Sequence, residues 1–527
     1  MKIVFLSCCS VTVELENDSV YYSDKEYDVY LNKKLVLQGF KKNVFSLFDL
    51  MPSTKYEIII NDEMLSFSTE SASKVIDVDA SQIKTTEDIQ TIFDRAPSGA
   101  LINFNEGTYN VTNLFLRSNT TVNLKKGTIF SGSINPNDYK ELQGEETNGE
   151  KVIQRGTWEG EPWNMKLAMI NAIDCENVKL VGQGALDMNS DKAEWFIDFR
   201  KKPYARPHTL FMNQSNNVRV QGIHLYNACV WTIHPYFCKN VGFYDLYIQN
   251  DPDSPNTDGI NPQCVNNCEI IGVEFSVGDD CIAIKSGKLY LGKKYKTPSE
   301  NILVSNCFMN RGHGAIVLGS EMAGGIKNLT IKKCLFNHTD RGLRIKSRRG
   351  RGKDGIIDNI EFSNIKMDNV LTPFVINMFY FCDPDGKTEY VYSKECLPVD
   401  DRTPYLGRFI FKNIECIDVE YCAGYFYGLP EQHIKEVVIK DSKISFKEEA
   451  GSGNPAMMSF AEICSKRGFV FNNVDKAIIE NVEMQGQVGE IYSSINKEIQ
   501  IVTKQGDKLW LLTLERFMWK SKTKLLI

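Results

Sequence analysis

Asn217-Val218-Arg219-Val220-Gln221-Gly222-Ile223, Asn301-Ile302-Leu303-Val304-Ser305-Asn306-Cys307 and Asn328-Leu329-Thr330-Ile331-Lys332-Lys333-Cys334 are three copies of one pattern. Each opens on Asn and then alternates apolar and polar residues, the period of a strand with one buried face. The same start recurs at Asn177-Val178, Asn240-Val241 and Asn359-Ile360, with Asn267-Cys268 in phase. Spacings of 23 residues from Asn217 to Asn240 and 27 from Asn240 to Asn267 suit one coil of a β-solenoid, and longer gaps are coils with inserted loops. No amphipathic helices separate the strands, so the pattern predicts a parallel β-helix rather than a βαβ sheet. The Asn is expected at the bend, where it tolerates left-handed backbone and can ladder from coil to coil.

Outward from this repeat, residues 1–75 carry short strands at even spacing: Tyr27 to Leu31, Leu35 to Leu37, Val44 to Leu47, Tyr56 to Ile60 and Leu65 to Ser68. That spacing predicts a small β-sandwich. Leu50, Pro52, Thr54 and Tyr56 resemble the fibronectin type III pattern that leads into the strand carrying the corner tyrosine. After a polar linker at residues 71–74, an N-capping Thr, early acids and helically spaced apolar residues predict a short helix over residues 85–93. The parallel β-helix is expected over residues 76–490. The repeat weakens after about residue 445, a last coil is read near residues 475–482, and the tail at 491–527 has no assigned structure.

At 527 residues the chain exceeds what one compact core supports, which agrees with a fold that lengthens by repetition. A formal charge of -6 gives no global field for nucleic acid or an acidic membrane, so a polyanionic ligand would need a local basic site. No run of about 18 apolar residues occurs, and no transmembrane helix is expected. The first eleven residues run into the alternating Val11-Thr12-Val13-Glu14-Leu15 without a small-residue cleavage site, so a strand is the preferred reading over a secretory signal. Fifteen cysteines without a repeated short spacing read as buried apolar residues in a reducing cytoplasm, with secretion the alternative. Cys264 and Cys268 lack partners that would complete a zinc site. No cofactor is expected, and nothing in the sequence fixes an oligomeric state.

Four polar islands interrupt the alternation between residues 256 and 346: Asn256-Thr257-Asp258-Gly259, Gly278-Asp279-Asp280-Cys281, Gly312-His313-Gly314 and Arg344-Ile345-Lys346. Counted from its repeat Asn, Asp258 is at offset 18, Asp279 at 12, Asp280 at 13, His313 at 12, Arg344 at 16 and Lys346 at 18. Stacked rungs would therefore bring all six to one part of the coil, with Asp258 and Asp279 on adjacent rungs. Consecutive Asp279 and Asp280 reach one cleft only if the backbone turns, and Gly278 is read as permitting that turn. Clustered carboxylates repel, so one is expected to keep its proton, supplying an acid beside a base as glycoside hydrolysis requires. A hard cation is the competing use of three carboxylates, but adjacent His313, Arg344 and Lys346 suit an anionic ligand better. Arg344 and Lys346, two apart on a strand, project together and can clamp a carboxylate, while residues 349–353 read as a solvated basic loop.

The four islands, in order, resemble the motifs of polygalacturonases, glycoside hydrolase family 28, over about residues 76–480. The resemblance implies an all-β, right-handed parallel β-helix that hydrolyses α-1,4-galacturonosyl bonds of polygalacturonate with inversion. It further implies Asp279 as general acid, Asp258 and Asp280 as water activators, His313 beside the acid, Asn256 shaping the site, and Arg344 and Lys346 binding the galacturonate carboxylate. A fibronectin-like N-terminal module looks like the bacterial exo-acting branch. Insertions at residues 135–164 and 187–207 agree, since long loops could leave only a chain terminus room to enter. A non-catalytic carbohydrate-binding β-helix and a calcium-dependent pectate lyase are the alternatives.

Overall fold

The Asn residues that open the repeats are the bends of the coil. In the computed structural model φ is 56° at Asn177, Asn217, Asn328 and Asn359, 51° at Asn240, 62° at Asn267 and 58° at Asn301. This is the left-handed region that Asn enters more readily than most side chains. Their amides ladder as expected: Asn217 Nδ2 donates to Asn177 Oδ1 at 2.8 Å, Asn267 to Asn240 at 2.6 Å and Asn359 to Asn328 at 2.9 Å. The ladder slips by one residue at Asn240, which donates to Asn216 rather than Asn217 at 2.8 Å. Asn177 in turn donates to Asn119, a bend the sequence pattern passed over because Thr120, not an aliphatic residue, follows it.

The structure describes residues 1–197, 205–495, 499–502 and 508–511. They fall into two compact units, one holding Met1–Ile282, Asn301–Gly312 and Lys333–Leu335, the other Ala283–Glu300, His313–Lys332 and Phe336–Ile527. Each unit contains coils of a right-handed parallel β-helix. In the first unit one face is the parallel run Val75–Val78, Leu101–Phe104, Thr121–Leu124, Glu176–Gly182, Asn216–Gln221, Lys239–Tyr244 and Asn266–Ile271. A second face runs from Gly107–Val111 through His224–Tyr226 and Tyr247–Gln249 to Glu274–Ser276 and Phe308–Gly312. A third consists of Leu114–Phe115, Ile170–Ile173, Leu210–Asn213 and Ile233–Tyr236, continued by bridges from Ile233 to Ile260 and from Ile260 to Ile282.

Register turns the apolar alternation into columns. Val178, Val218, Val241 and Cys268 stack directly, each no more than 1% exposed. Cys268 is thus one more core residue, and thirteen of the fifteen cysteines are buried, none of them in a disulfide. In the second unit the parallel ladder is built of longer strands, Ile356–Asp368, Arg408–Val419, Ile434–Phe446 and Val474–Gln485. The repeat therefore persists past residue 445, and Ile499–Val502 adds a further parallel strand to Val474–Gln485. Among the described residues no helix is long and apolar enough to cross a membrane.

The N-terminal strands are β1 (Lys2–Leu6), β2 (Val11–Glu14), β3 (Tyr22–Leu31), β4 (Lys34–Lys42), β5 (Val44–Leu47), β6 (Lys55–Ile60) and β7 (Glu63–Ser68). They form sheets ordered β1-β2-β5 and β4-β3-β6-β7, closed over a core of Val11, Val13, Val29, Phe45, Ile58 and Phe67. The Tyr56 hydroxyl accepts from the Met51 N–H at 2.8 Å, a tyrosine corner. The helix is present as α1 (Thr86–Arg95), capped by Thr85.

Within the first unit the sandwich packs directly on the coils: Phe5, Cys8, Cys9 and Val44 share a core cluster with Leu101, Val181, Tyr244 and Ile271. Gly222, at φ 78°, admits the Phe48 ring where any Cβ would collide with it. Buried polar pairs fix the contact, including Ser10 Oγ to Gln221 Oε1 at 2.5 Å and Asn306 Nδ2 to Glu14 Oε1 at 2.7 Å.

Asn240→Ala removes two ladder hydrogen bonds and puts a non-Asn side chain at φ 51°, so urea unfolding should begin at lower denaturant, with a loss of roughly 2 kcal/mol. At the sandwich contact, burial raises the Asp245 carboxyl to about 6, against the pull of Lys42 and Ser46. A folded-state value above the unfolded one favours the protonated form, so this group's contribution is present below about pH 4 and lost as pH rises through about 6. Thermal melts of Asp245→Asn should show a shallower fall in stability across that window than the parent chain.

Candidate active site

The third face of the first unit places the carboxylates. Ile260 is the rung partner of Ile282, which sets Asp258 against Asp280; the Gly259 N–H donates to the Asp280 carbonyl at 3.0 Å. Asp258 is 3% exposed and Asp280 2%, while Asp279 and Asn256 are half-buried. Asp279 sits in the bend immediately before the strand Asp280–Ile284, and it is therefore Asp280, not Asp279, that faces Asp258 in register. All three carboxylates act on the buried Cys281 thiol: burial first, then Asp280, Asp258 and Asp279, push it far above the ordinary range.

The offset count explains this geometry. Asp258 stands 18 residues past its repeat Asn and Asp280 13 past its own, and the excess is spent in a turn. In it the Ser254 hydroxyl bonds the Asp251 carbonyl and the Thr257 hydroxyl, both at 2.6 Å, and Asn250 Nδ2 holds the Thr257 carbonyl at 3.1 Å. The backbone bends at Gly278 and Asp279 as expected, without a positive φ at Gly278. Its role is close approach: a Cβ there would run into the carbonyls of Asp251 and Ser254. Gly312 does hold a positive φ, 144°, and a Cβ on it would lie 2.8 Å from the Asp279 carbonyl and 2.9 Å from Cys281 Sγ.

In the second unit His313 is exposed, directly before the strand Gly314–Gly319. Arg344 and Lys346 lie on Arg341–Lys346, in register with Val317 and Gly319 on one side and with Val375 and Asn377 on the other. Arg344 is half-buried and contacts Met457 Sδ; Lys346 lies 5.9 Å over the Tyr380 ring. The loop carrying Met457 is held by Asn377 Nδ2, which donates to the Met457 carbonyl at 3.0 Å, and by Arg341, which donates to the carbonyls of Asn454 and Pro455 at 2.7 and 2.9 Å.

Residues 349–353 are not a solvated loop. Arg349 is 1% exposed and grips Glu431 through two bonds of 2.6 and 2.8 Å, and Arg348 and Arg351 are also buried. Arg348, Arg351 and Lys288 surround Asp383; burial opposes its ionisation, yet these cations hold it down to about 2. Lys285 pairs with buried Glu321 at 3.2 Å. A buried charge needs a partner, and these arginines found acids remote in sequence. Only Lys353 of the stretch is exposed, 3.2 Å from Asp401.

Sequence reading missed Arg206. Its guanidinium lies 6.0 Å from the Trp158 ring and 5.9 Å from the Phe196 ring, one from each insertion. It donates to Asn256 Oδ1 at 2.9 Å, the Pro255 carbonyl at 2.9 Å and the Cys229 carbonyl at 3.1 Å. Trp158 also stacks on Trp231 at 5.7 Å, and Trp231 is the rung neighbour of Asp258. No periodic mark in the sequence distinguishes Arg206 from other loop cations. Among the described residues no group of three or more His, Cys, Asp or Glu is placed to hold a metal ion.

The family model "Glycosyl hydrolases family 28" matches residues 108–393, more than half of the chain. The chain belongs to glycosyl hydrolase family 28. A polygalacturonase of Prunus persica is 29% identical over 249 residues, 47% of this chain and 58% of that protein. The chain spans about half the length of the curated relatives it matches. Among solved structures, a family 28 exopolygalacturonase of Yersinia enterocolitica shares the fold with a TM-score of 0.70 at 17% identity, covering 96% of this chain and 98% of that one. An exopolygalacturonase of Thermotoga maritima does so at 0.61 and 22% identity, covering 83% and 94%.

Glu431→Gln leaves the buried Arg349 guanidinium without a counter-charge, which should cost roughly 3–5 kcal/mol and appear as a large drop in thermal midpoint.

Proposed function

We propose that this protein hydrolyses the α-1,4-galacturonosyl bonds of polygalacturonate or its oligomers with inversion, acting from a chain end. The observation that carries the reading is the convergence of Asp258, Asp279 and Asp280 on one point of the coil, in a chain of family 28. Asp279 is the most accessible of the three and is assigned as the general acid that protonates the leaving oxygen. Asp258 and Asp280, buried and in register, activate the attacking water. By family resemblance His313 is assigned to assist the acid, Asn256 to shape the site for the sugar, and Arg344 with Lys346 to bind the galacturonate carboxylate.

Chain-end action is supported by the two insertions, whose Trp158 and Phe196 pack around Arg206 next to Asn256. The sheets of three and four strands and the Tyr56 corner support a fibronectin type III-like module and, with it, the bacterial exo-acting branch. Thirteen buried free thiols support a reducing compartment, and hence oligomers taken up by the cell as the substrate. The net charge of -6 supports neither nucleic acid nor an acidic membrane as partner.

The purified chain should release reducing ends from polygalacturonate in excess chelator, and Asp279→Asn should lower kcat by about 1,000-fold. Early products followed by NMR should be short and carry the β-anomer. Activity lost to chelator with unsaturated products would show a lyase instead. Binding without turnover would show a carbohydrate-binding β-helix, and a ladder of medium oligomers from the start would defeat chain-end action.

A further inference from the structure

Arg206 has no part in the roles assigned above, yet this buried cation is bonded to the turn that leads into Asp258. It is 3% exposed, and its guanidinium donates to groups of two segments, the Cys229 carbonyl and the turn Pro255-Asn256 that leads into Asp258. Three acceptors fix a planar, five-donor fork far more tightly than an ammonium group could be fixed. The bond to Asn256 is made to Oδ1, which settles the orientation of that amide: its oxygen is occupied, and its NH2 end is the end left for a ligand.

The charge matters as well. The groups that act on Arg206 are Cys229, Asp258, Glu159 and Asp279, and burial is the largest influence, drawing its value down to about 10, so that it stays charged at neutral pH. Arg206 in turn acts on His208, which burial holds neutral at about 3. The flanking rings of Trp158 and Phe196 shield the guanidinium from water, which strengthens its field on the two carboxylates.

We propose that Arg206 is a positioning residue of the hydrolytic centre, fixing the Asn256 amide with its NH2 toward substrate and holding a positive charge beside Asp258 and Asp279. The two insertions that carry Trp158 and Phe196 then act by clamping this cation as well as by shaping the approach to the site. This inference deepens the polygalacturonase reading and rests on it.

The test compares Arg206→Met and Arg206→Lys with the parent chain on polygalacturonate. Arg206→Met should lower kcat by about 100-fold with KM changed less than about 3-fold, and move the acid limb of the kcat/KM profile to higher pH, because the carboxylates lose a neighbouring cation. Arg206→Lys keeps the charge and loses the fork, so its acid limb should stay in place while kcat falls by about 10-fold. Adding Asn256→Ala to Arg206→Met should cost little more than Arg206→Met alone, since the two act as a unit. An unmoved pH profile, or losses that multiply, would overturn the proposal.

A parent chain that releases no reducing ends from any pectic substrate would sink the hydrolase reading. The cation is then judged from thermal melts. The melting penalty of Arg206→Met should shrink as pH falls below about 4, where carboxylates protonate. A penalty independent of pH would mean that Arg206 only fills space.

Discussion

In a parallel coil the backbone ladder decides which side chains meet. With the left-handed bend at Asn240 and the apolar alternation setting the phase, Tyr236 faces Gln263 and Ile260 faces Ile282. Regular stretches of such a ladder make inert columns, like the one through Val178, Val218, Val241 and Cys268. Chemistry enters where the coil departs from regularity. The turn that follows Asn250 uses the extra length of its coil to bring Asp258 over Asp280, and Gly278 and Gly312 let neighbouring backbone close to contact around Asp279. The acidic centre is thus a local irregularity held on both sides by a regular frame, an arrangement that gives rigidity without requiring that the reactive residues pack well themselves.

This division explains what could be read from the chain. The coils were legible because each begins with Asn and because one residue in two is apolar, and both signals are local. Offsets from Asn301 and Asn328 placed Val317 and Arg344 at the same distance, 16 residues, and the register pairs them. The count put Asp279 on the rung next to Asp258, whereas the residue in register is its neighbour Asp280, because an extra-long turn shifts phase without leaving a pattern. Arg206 and the buried Arg348, Arg349 and Arg351 were illegible for a different reason. What distinguishes a buried arginine is its partner, and Glu431 lies 82 residues from Arg349 in the chain. Such pairings exist only after folding, so a run of basic residues reads the same whether it is solvated or fully enclosed.

The chain handles charge on two scales. Its net charge is slightly acidic, which does nothing to attract a polyanion, and the buried cations Lys285, Arg348, Arg349 and Arg351 of the second unit are committed to Asp383, Asp385, Glu321 or Glu431. These pairs stiffen the loops around the strand that carries Arg344 and Lys346. Under the proposed function, recognition of a carboxylate-bearing polymer is left to a few oriented groups instead of a field, which favours specificity over speed of capture.

The sandwich at the N-terminus shares a core cluster with the coils through Phe5, Cys8, Cys9 and Val44, and Gly222 is hollowed out for Phe48. Modules of this kind are usually thought of as beads, exchangeable between enzymes and removable without harm. Here the coils have surrendered part of their own outer wall to the module: without it Leu101, Val181, Tyr244 and Ile271 would face water. Evolution can therefore vary the outer sheet of the sandwich freely, but it can no longer shuffle the sandwich away.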